Sequence, residues 1–184
     1  VIKSITNIAL LRGINVGGNN ILKMSDLKTC FENLGFTNVR TYIQSGNVIF
    51  DAMQKPQELT RIIEAELTKR YKYKARAVVI SAKQLKTAVY RAPKNFGKAP
   101  DTYRYDVIFL KPPLTAAEAL VEIPVKKGVD EVFEGTDVLY FSRLIKKATQ
   151  SKLSRVVALP IYQEMTIRNW NTTTKVLSLI EAQK

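Results

Sequence analysis

The chain has 184 residues, 46% hydrophobic and 24% charged, and its 29 Lys+Arg against 16 Asp+Glu give a net charge of +13 with no histidine. Without histidine there is no Ser-His-Asp or Cys-His pair, no imidazole acid–base catalysis and no His-ligated zinc. A single cysteine, Cys30, makes no intrachain disulfide, no Cys-rich zinc site and no iron–sulfur cluster, so neither metal nor cofactor is expected.

In the first half, residues 5–11 are an apolar run that reads as a strand. A Gly/Asn-rich loop, 13–20, follows. Ser25 is placed to cap a helix running to about residue 34, with Leu27, Cys30, Phe31 and Leu34 at helical spacing and Gly35 as the stop. Cys30 on that apolar face reads as core, not nucleophile. Residues 39–43 and 47–51 form a hairpin about Ser45-Gly46. Pro56 opens a helix whose face is Leu59, Ile62, Ile63 and Leu67, and 75–80 is a strand.

A short helix is expected at 81–90, then a Pro/Gly-marked linker at 91–100. The second half repeats the plan. Residues 105–110 are a strand stopped by Pro112-Pro113, and Thr115 caps a helix over 116–123. A hairpin pairs 131–133 with 138–141 about Gly135. Ser151 caps a helix to about 159, 164–167 is the last strand, and Asn171 or Thr172 caps a final helix carrying Val176, Leu179 and Ile180.

The order β-α-β-β-α-β, met twice, is the split βαβ or ferredoxin-like arrangement. The expected fold is α+β: two ferredoxin-like halves with antiparallel sheets plus a C-terminal helix. The expected organisation is 1–90, a linker 91–102, and 103–184. No apolar stretch reaches transmembrane length and the start lacks a signal peptide's apolar core, so a cytoplasmic protein without membrane contact, monomeric or weakly dimeric, is expected.

The positive charge is concentrated. Residues 67–100 hold no acid, and Lys69, Arg70, Lys72, Lys74 and Arg76 are interleaved there with Tyr71 and Tyr73. The same tract ends on Lys94 and Lys98, and a second acid-free run, 141–163, carries Arg143, Lys146, Lys147, Lys152 and Arg155. Cations suit phosphates and rings suit bases. A solvated basic face explains the same pattern.

Three polar loops are candidate binding elements. In the first, Arg12, Asn15, Gly17 and Gly18 place a forked donor beside backbone N–H groups that glycine lets converge on an anion. It is neither a Walker loop nor the dinucleotide fingerprint. The second holds Ser45 and Asn47; the first and third strands of a split βαβ unit are neighbours, so Arg12, Ser45 and Asn47 are expected near one sheet edge. The third is Arg168, Asn169, Trp170 and Asn171 at a helix start, with the chain's sole Trp. Trp170 suits stacking on a ring and suits a core equally.

Taken together, the segments Arg12-Gly13-Ile14-Asn15-Val16-Gly17-Gly18, Tyr42-Ile43-Gln44-Ser45-Gly46-Asn47 and Thr166-Ile167-Arg168-Asn169-Trp170-Asn171-Thr172 resemble the signatures of a bacterial family known as domain of unknown function 1697. The resemblance implies a compact cytosolic protein with two ferredoxin-like halves and no established activity, so it assigns no catalytic residue. The leading expectation is an anion-binding protein whose partner is a nucleic acid, a nucleotide or another phosphorylated ligand. An enzyme acting on a small phosphorylated or carboxylated substrate and a scaffold or regulatory protein are the alternatives, and the sequence leaves open whether the chain is catalytic.

Overall fold

A computed structural model describes residues 4–15 and 20–182. The chain divides into two compact units, one of Val1–Lys83 with Ile180–Lys184, the other of Gln84–Leu179.

The first unit runs β1 (Ile5–Arg12), α1 (Met24–Asn33), β2 (Thr37–Tyr42), β3 (Asn47–Ala52), α2 (Pro56–Tyr71) and β4 (Arg76–Ser81). Its four strands lie in the order β2-β3-β1-β4, each pair antiparallel, so β1 and β3 are the central neighbours. Alternation along the strands sends Ala9, Leu11, Val48, Phe50, Ala77 and Val79 to one face, where they join Leu27, Cys30, Phe31, Leu59, Ile63 and Leu67 of the helices. Phe31 and Phe36 meet the Phe50 ring at centroid distances of 5.3 and 4.7 Å, geometry worth about 0.5–1.5 kcal/mol per pair beyond the area buried. The other face holds Ile8, Leu10, Ile49, Val78 and Ile80, which are buried too.

Helix α1 starts earlier than Ser25 predicts. Lys23 is the N-cap and has no side-chain cap bond, while the Leu27 N–H closes the first turn on the Lys23 carbonyl at 3.0 Å. The reason lies upstream. Asn15 holds both backbone groups of Leu22, and this fixes where the chain turns into the helix. Gly35, with φ +82, ends it as expected.

The chain passes into the second unit within α3 (Ala82–Tyr90), runs through β5 (Tyr103–Leu110), α4 (Ala116–Glu122), β6 (Asp130–Glu134), β7 (Val138–Leu144), α5 (Leu153–Val156) and β8 (Met165–Asn169), and leaves it at the end of α6 (Trp170–Glu181). Its sheet order, β6-β7-β5-β8, is the same plan, again antiparallel. Ile108, Leu110, Leu139, Phe141 and Met165 pack on Ala116, Ala119, Leu153 and Val156. Thr115 caps α4 as predicted, in a reciprocal box with Glu118.

Two expectations shift here. The helix predicted over 151–159 is a single α turn, flanked by 3₁₀ segments Ile145–Gln150 and Pro160–Glu164. Its N-cap is Lys152 rather than Ser151, with no side-chain cap bond, though the Ser151 Oγ one residue earlier accepts from the Leu153 N–H at 3.2 Å. Only Leu153 and Val156 of that turn are buried, and Pro160 follows soon after, so there is too little apolar face to extend a helix past its nucleus. The final helix starts at Trp170, because the capping residue is Asn169, whose Oδ1 accepts from the Asn171 N–H at 2.9 Å.

Candidate functional site

In the first unit the chain after β1 and the chain before β3 come together as their central pairing requires. The Leu11 N–H donates to the Gly46 carbonyl at 2.8 Å, and Asn15 Nδ2 donates to the Gln44 carbonyl at 2.9 Å. Asn15 sits at φ +53 and does more. Its Oδ1 accepts from the Leu22 N–H at 2.8 Å and its Nδ2 donates to the Leu22 carbonyl at 3.1 Å, as a neighbouring strand would. Asn20 Nδ2 adds a bond to the Gly13 carbonyl at 2.8 Å. Asn47 is fully buried, and its Nδ2 donates to the Tyr42 carbonyl and the Ser45 Oγ at 3.0 and 3.1 Å. Arg12 ends β1 in register with Arg76. Gly17 and Gly18 lie outside the described residues. These bonds shape each loop from within, and the Asn15–Gln44 and Leu11–Gly46 bonds tie the two loops together.

The tyrosines among the first basic cluster are not stacking platforms. Tyr71 and Tyr73 pack against the first unit's core, and burial pushes the Tyr73 phenol up to about 12. Their rings are used by the fold, while the cations around them stay at the surface.

The second unit has aromatic rings of another kind. Tyr105, Ser142 and Glu131 stand in one cross-strand row over β5, β7 and β6; Val107, Tyr140 and Phe133 form the next. These are the side chains of the face turned away from α4 and α5. The 91–100 stretch, expected as a linker, is built onto this face. The Phe96 N–H closes on the Pro93 carbonyl at 2.9 Å and the Lys98 N–H on the Asn95 carbonyl at 3.1 Å, with Asn95 and Gly97 in the left-handed region. The turn drives Phe96 down to meet Tyr105, Tyr140 and Trp170 edge-on at centroid distances of 4.8, 5.3 and 5.1 Å. Tyr140 is buried beneath it and donates its hydroxyl to the Ala88 carbonyl at 2.7 Å.

Beside this turn is a cavity of about 310 Å³ with Phe96, Tyr103, Tyr105 and Phe133 as its rings, Lys94 and Lys98 as its cations, and Glu131 and Ser142 on the sheet. A smaller hollow of about 160 Å³ shares Tyr103 and Tyr105 and is completed by Arg104, Asn169, Trp170 and Asn171. Three of the four candidates from the third loop therefore come together there. Asn169 is held by its donation to the Tyr105 carbonyl at 3.3 Å. Trp170 is half-buried, so it serves both as packing for Phe96 and as wall of the hollow.

Arg168, the fourth, does not line it. It pairs across the sheet with Val107 and is buried, with Nη1 donating to Thr166 Oγ1 and the Ile167 carbonyl, both at 2.9 Å. Burial lowers its pKa to about 10, which still leaves it a cation at neutral pH. Arg168 stands in the same cross-strand row as Val107 and Tyr140 but is buried there, a covered charge rather than an exposed clamp.

The second acid-free run supplies a separate polar hollow of about 470 Å³, with Lys126, Lys152 and Arg155 among Thr149, Ser151 and Ser154. Asp130 ties its two sides together, its Oδ2 accepting from the Lys126 and Lys152 N–H groups at 2.9 and 2.8 Å. Among the described residues no group of three or more Cys, Asp or Glu is placed to hold a metal, and no helix is long and apolar enough to cross a membrane. Cys30 is buried, and that burial raises its thiol pKa, the opposite of what a nucleophile needs.

Fold and sites together describe an α+β protein of two like halves, with ring-and-cation hollows on one of them. The chain belongs to the family described as protein of unknown function DUF1697, whose model matches residues 5–140. The match takes in the first two polar loops and most of the larger cavity and stops short of Asn169–Asn171. No curated protein matches the chain at a significant level. A solved structure of similar fold is that of the conserved bacterial protein SP0830 from Streptococcus pneumoniae, at 22% identity and a TM-score of 0.83, over 96% of this chain and 98% of that one.

The cavity-lining rings that the sequence reading does not single out are Phe96, Tyr103, Tyr105 and Phe133. Their signal was present, since Tyr103 and Tyr105 alternate on one strand face directly after a Lys/Pro/Gly segment. The Pro/Gly content of that segment read as linker and hid it.

Proposed function

We propose that the protein binds nucleotides or single-stranded nucleic acid on the second unit's sheet face. One observation supports this reading: four aromatic rings and two lysines meet in a single cavity of about 310 Å³, within the usual size range of small-ligand pockets. Rings stack on bases whatever their sequence, and lysines take phosphates. The adjoining hollow at Asn169, Trp170 and Asn171, which shares Tyr103 and Tyr105, extends the same track, with Arg104 as a further cation. The net charge of +13 favours the approach of any polyanion.

The test is a titration with short single-stranded RNA and DNA, mononucleotides and phosphosugars, at low and high salt. Trp170 fluorescence and the anisotropy of a labelled oligonucleotide are the readouts. Oligonucleotides and nucleotides are expected to bind, with affinity falling as salt rises, while phosphosugars bind poorly. Phe133→Ala removes an exposed ring and should weaken binding about tenfold or more at unchanged stability. Lys94→Ala with Lys98→Ala should flatten the salt dependence. Absence of binding to every oligonucleotide and nucleotide at low salt overturns the reading.

A further inference from the structure

The larger cavity holds more chemistry than stacking and phosphate contact require. Among the described residues that line it, Glu131 is the sole acid, and on edge strand β6 it shares the lining with four rings and two lysines. A carboxylate there works against a simple anion site. It lies in one cross-strand row with Ser142 and Tyr105, and the Ser142 hydroxyl donates to Glu131 Oε2 at 3.5 Å. Ser142 is buried and Glu131 is exposed, so the hydroxyl comes from the fixed sheet and steadies a carboxylate that still faces the cavity.

We infer that Glu131 reads the base, and that the preferred base is guanine. This inference rests on the binding reading above. An ionised carboxylate is an acceptor only, with two oxygens side by side. A base edge that meets it in the plane of stacking must present two adjacent donors. Guanine does so, with N1–H beside the N2 amino group, and the pairing is two parallel charge-assisted hydrogen bonds. Adenine and cytosine place one amino group beside a ring nitrogen whose lone pair faces the second oxygen. Uracil flanks its single N3–H with two carbonyl oxygens, both repelled by a carboxylate. The order expected is therefore guanine first, adenine and cytosine next, uracil last. The lysines reach the phosphate end of the same ligand, so charge is separated across the cavity: cations toward the phosphate, the anion toward the base.

The experiment measures dissociation constants for GMP, AMP, CMP and UMP at one fixed, low salt concentration, for the full chain and for Glu131→Gln and Ser142→Ala. GMP should bind at least about tenfold more tightly than UMP, the discrimination a good bidentate base contact supplies. Glu131→Gln should bring that ratio close to one while UMP still binds, which shows that the variant is folded and its cavity intact. Ser142→Ala should reduce the ratio by a smaller factor, because it loosens the carboxylate without removing it. Equal affinity for all four nucleotides overturns the guanine assignment and leaves base stacking standing. A guanine preference unchanged in Glu131→Gln overturns the role of Glu131. Failure of all four to bind overturns this inference, whereas the binding reading itself falls only if oligonucleotides also fail to bind at low salt.

Discussion

The two units share strand order and helix placement, and they use their polar and aromatic residues differently. In the first, Asn15, Ser45 and Asn47 spend hydrogen bonds on shaping their own loops, with Asn15 also tying one loop to the other, and Tyr71 and Tyr73 pack against the core. In the second, Tyr103, Tyr105 and Phe133 remain on a strand face beside a cavity, with Lys94, Lys98 and Glu131 around them. The topology is common property, but a site arises where the packing leaves ring faces uncovered. A motif rich in Asn, Ser and Gly is therefore weaker grounds for ligand binding than its polarity implies, since backbone groups in tight turns need the same donors and acceptors.

The strongest way to break this comparison is to add one methyl group to each unit. Gly46 has φ +77, and a Cβ there would lie 2.6 Å from Ile14 Cδ1 and 2.8 Å from Leu11 Cβ. Both neighbours are buried, and a Cβ is fixed to its own backbone. Gly46→Ala therefore combines left-handed strain of about 1–2 kcal/mol with overpacking of about 1–3 kcal/mol. A loss of roughly 2–5 kcal/mol in urea unfolding is expected, with the Trp170 emission of the folded protein unchanged. Gly97 has φ +82, and its Cβ would strike the Trp170 indole, which is half-buried and forms a cavity wall. Gly97→Ala should cost less stability and shift the Trp170 emission. Equal costs, with no change in emission, would mean that the second unit's turn is as tightly packed as the first's.

The first unit's β-α-β-β-α-β order was legible because its signals are local. Apolar periodicity, Pro56 at a helix start and Gly35 at a helix end all act within a few residues. The crossover before β8 was less legible. Ser151 marks a helix start, but the burial that decides how far a helix runs is a property of the packed unit, and only Leu153 and Val156 reach the core. The site was legible in part. Asn169, Trp170 and Asn171 were visible as a polar cluster about the sole Trp, and three of them do line one hollow. Arg168 was visible as a charge, and strand parity puts it in the row of Val107 and Tyr140, but it is buried there and lines neither hollow. The rings at Phe96 and Phe133 come to line one cavity only after a turn folds back onto a sheet, and no spacing rule encodes that arrangement.

Asn15 gives a second, smaller test. Asn15→Gly keeps the left-handed backbone and deletes three hydrogen bonds, for an expected loss of about 1–2 kcal/mol. Asn15→Asp keeps the acceptor for the Leu22 N–H but turns a carboxylate oxygen toward the Leu22 and Gln44 carbonyls, so it should cost at least as much as Asn15→Gly. Nucleotide affinity of the folded protein should not change in either variant. A loss of affinity at unchanged stability would place a ligand contact in the first unit's loops and end the division of labour drawn here.

The smallest effect concerns pH. Helices α1 and α2 have lysines at their N-caps and no side-chain cap bonds, whereas α4 of the second unit has the Thr115–Glu118 box. The Thr115 hydroxyl donates to Glu118 Oε2 at 2.6 Å and the Thr115 N–H donates to it at 2.9 Å. Both bonds favour the ionised carboxylate, the hydroxyl more than the backbone, and they hold the Glu118 pKa below the usual carboxylate value. With the folded pKa the lower one, the unfolded chain binds more protons across the interval between them. The box therefore contributes fully above the unfolded carboxylate's pKa, and its contribution is lost as pH falls through the depressed folded value. The amide resonances of Thr115 and Glu118 should move together over that acid range, and Glu118→Gln should abolish the step while leaving α4 in place. An amide titration centred at or above the ordinary glutamate range would show that the box is not closed in solution, and the second unit's one reciprocal cap would then no longer set its α4 apart from α1 and α2.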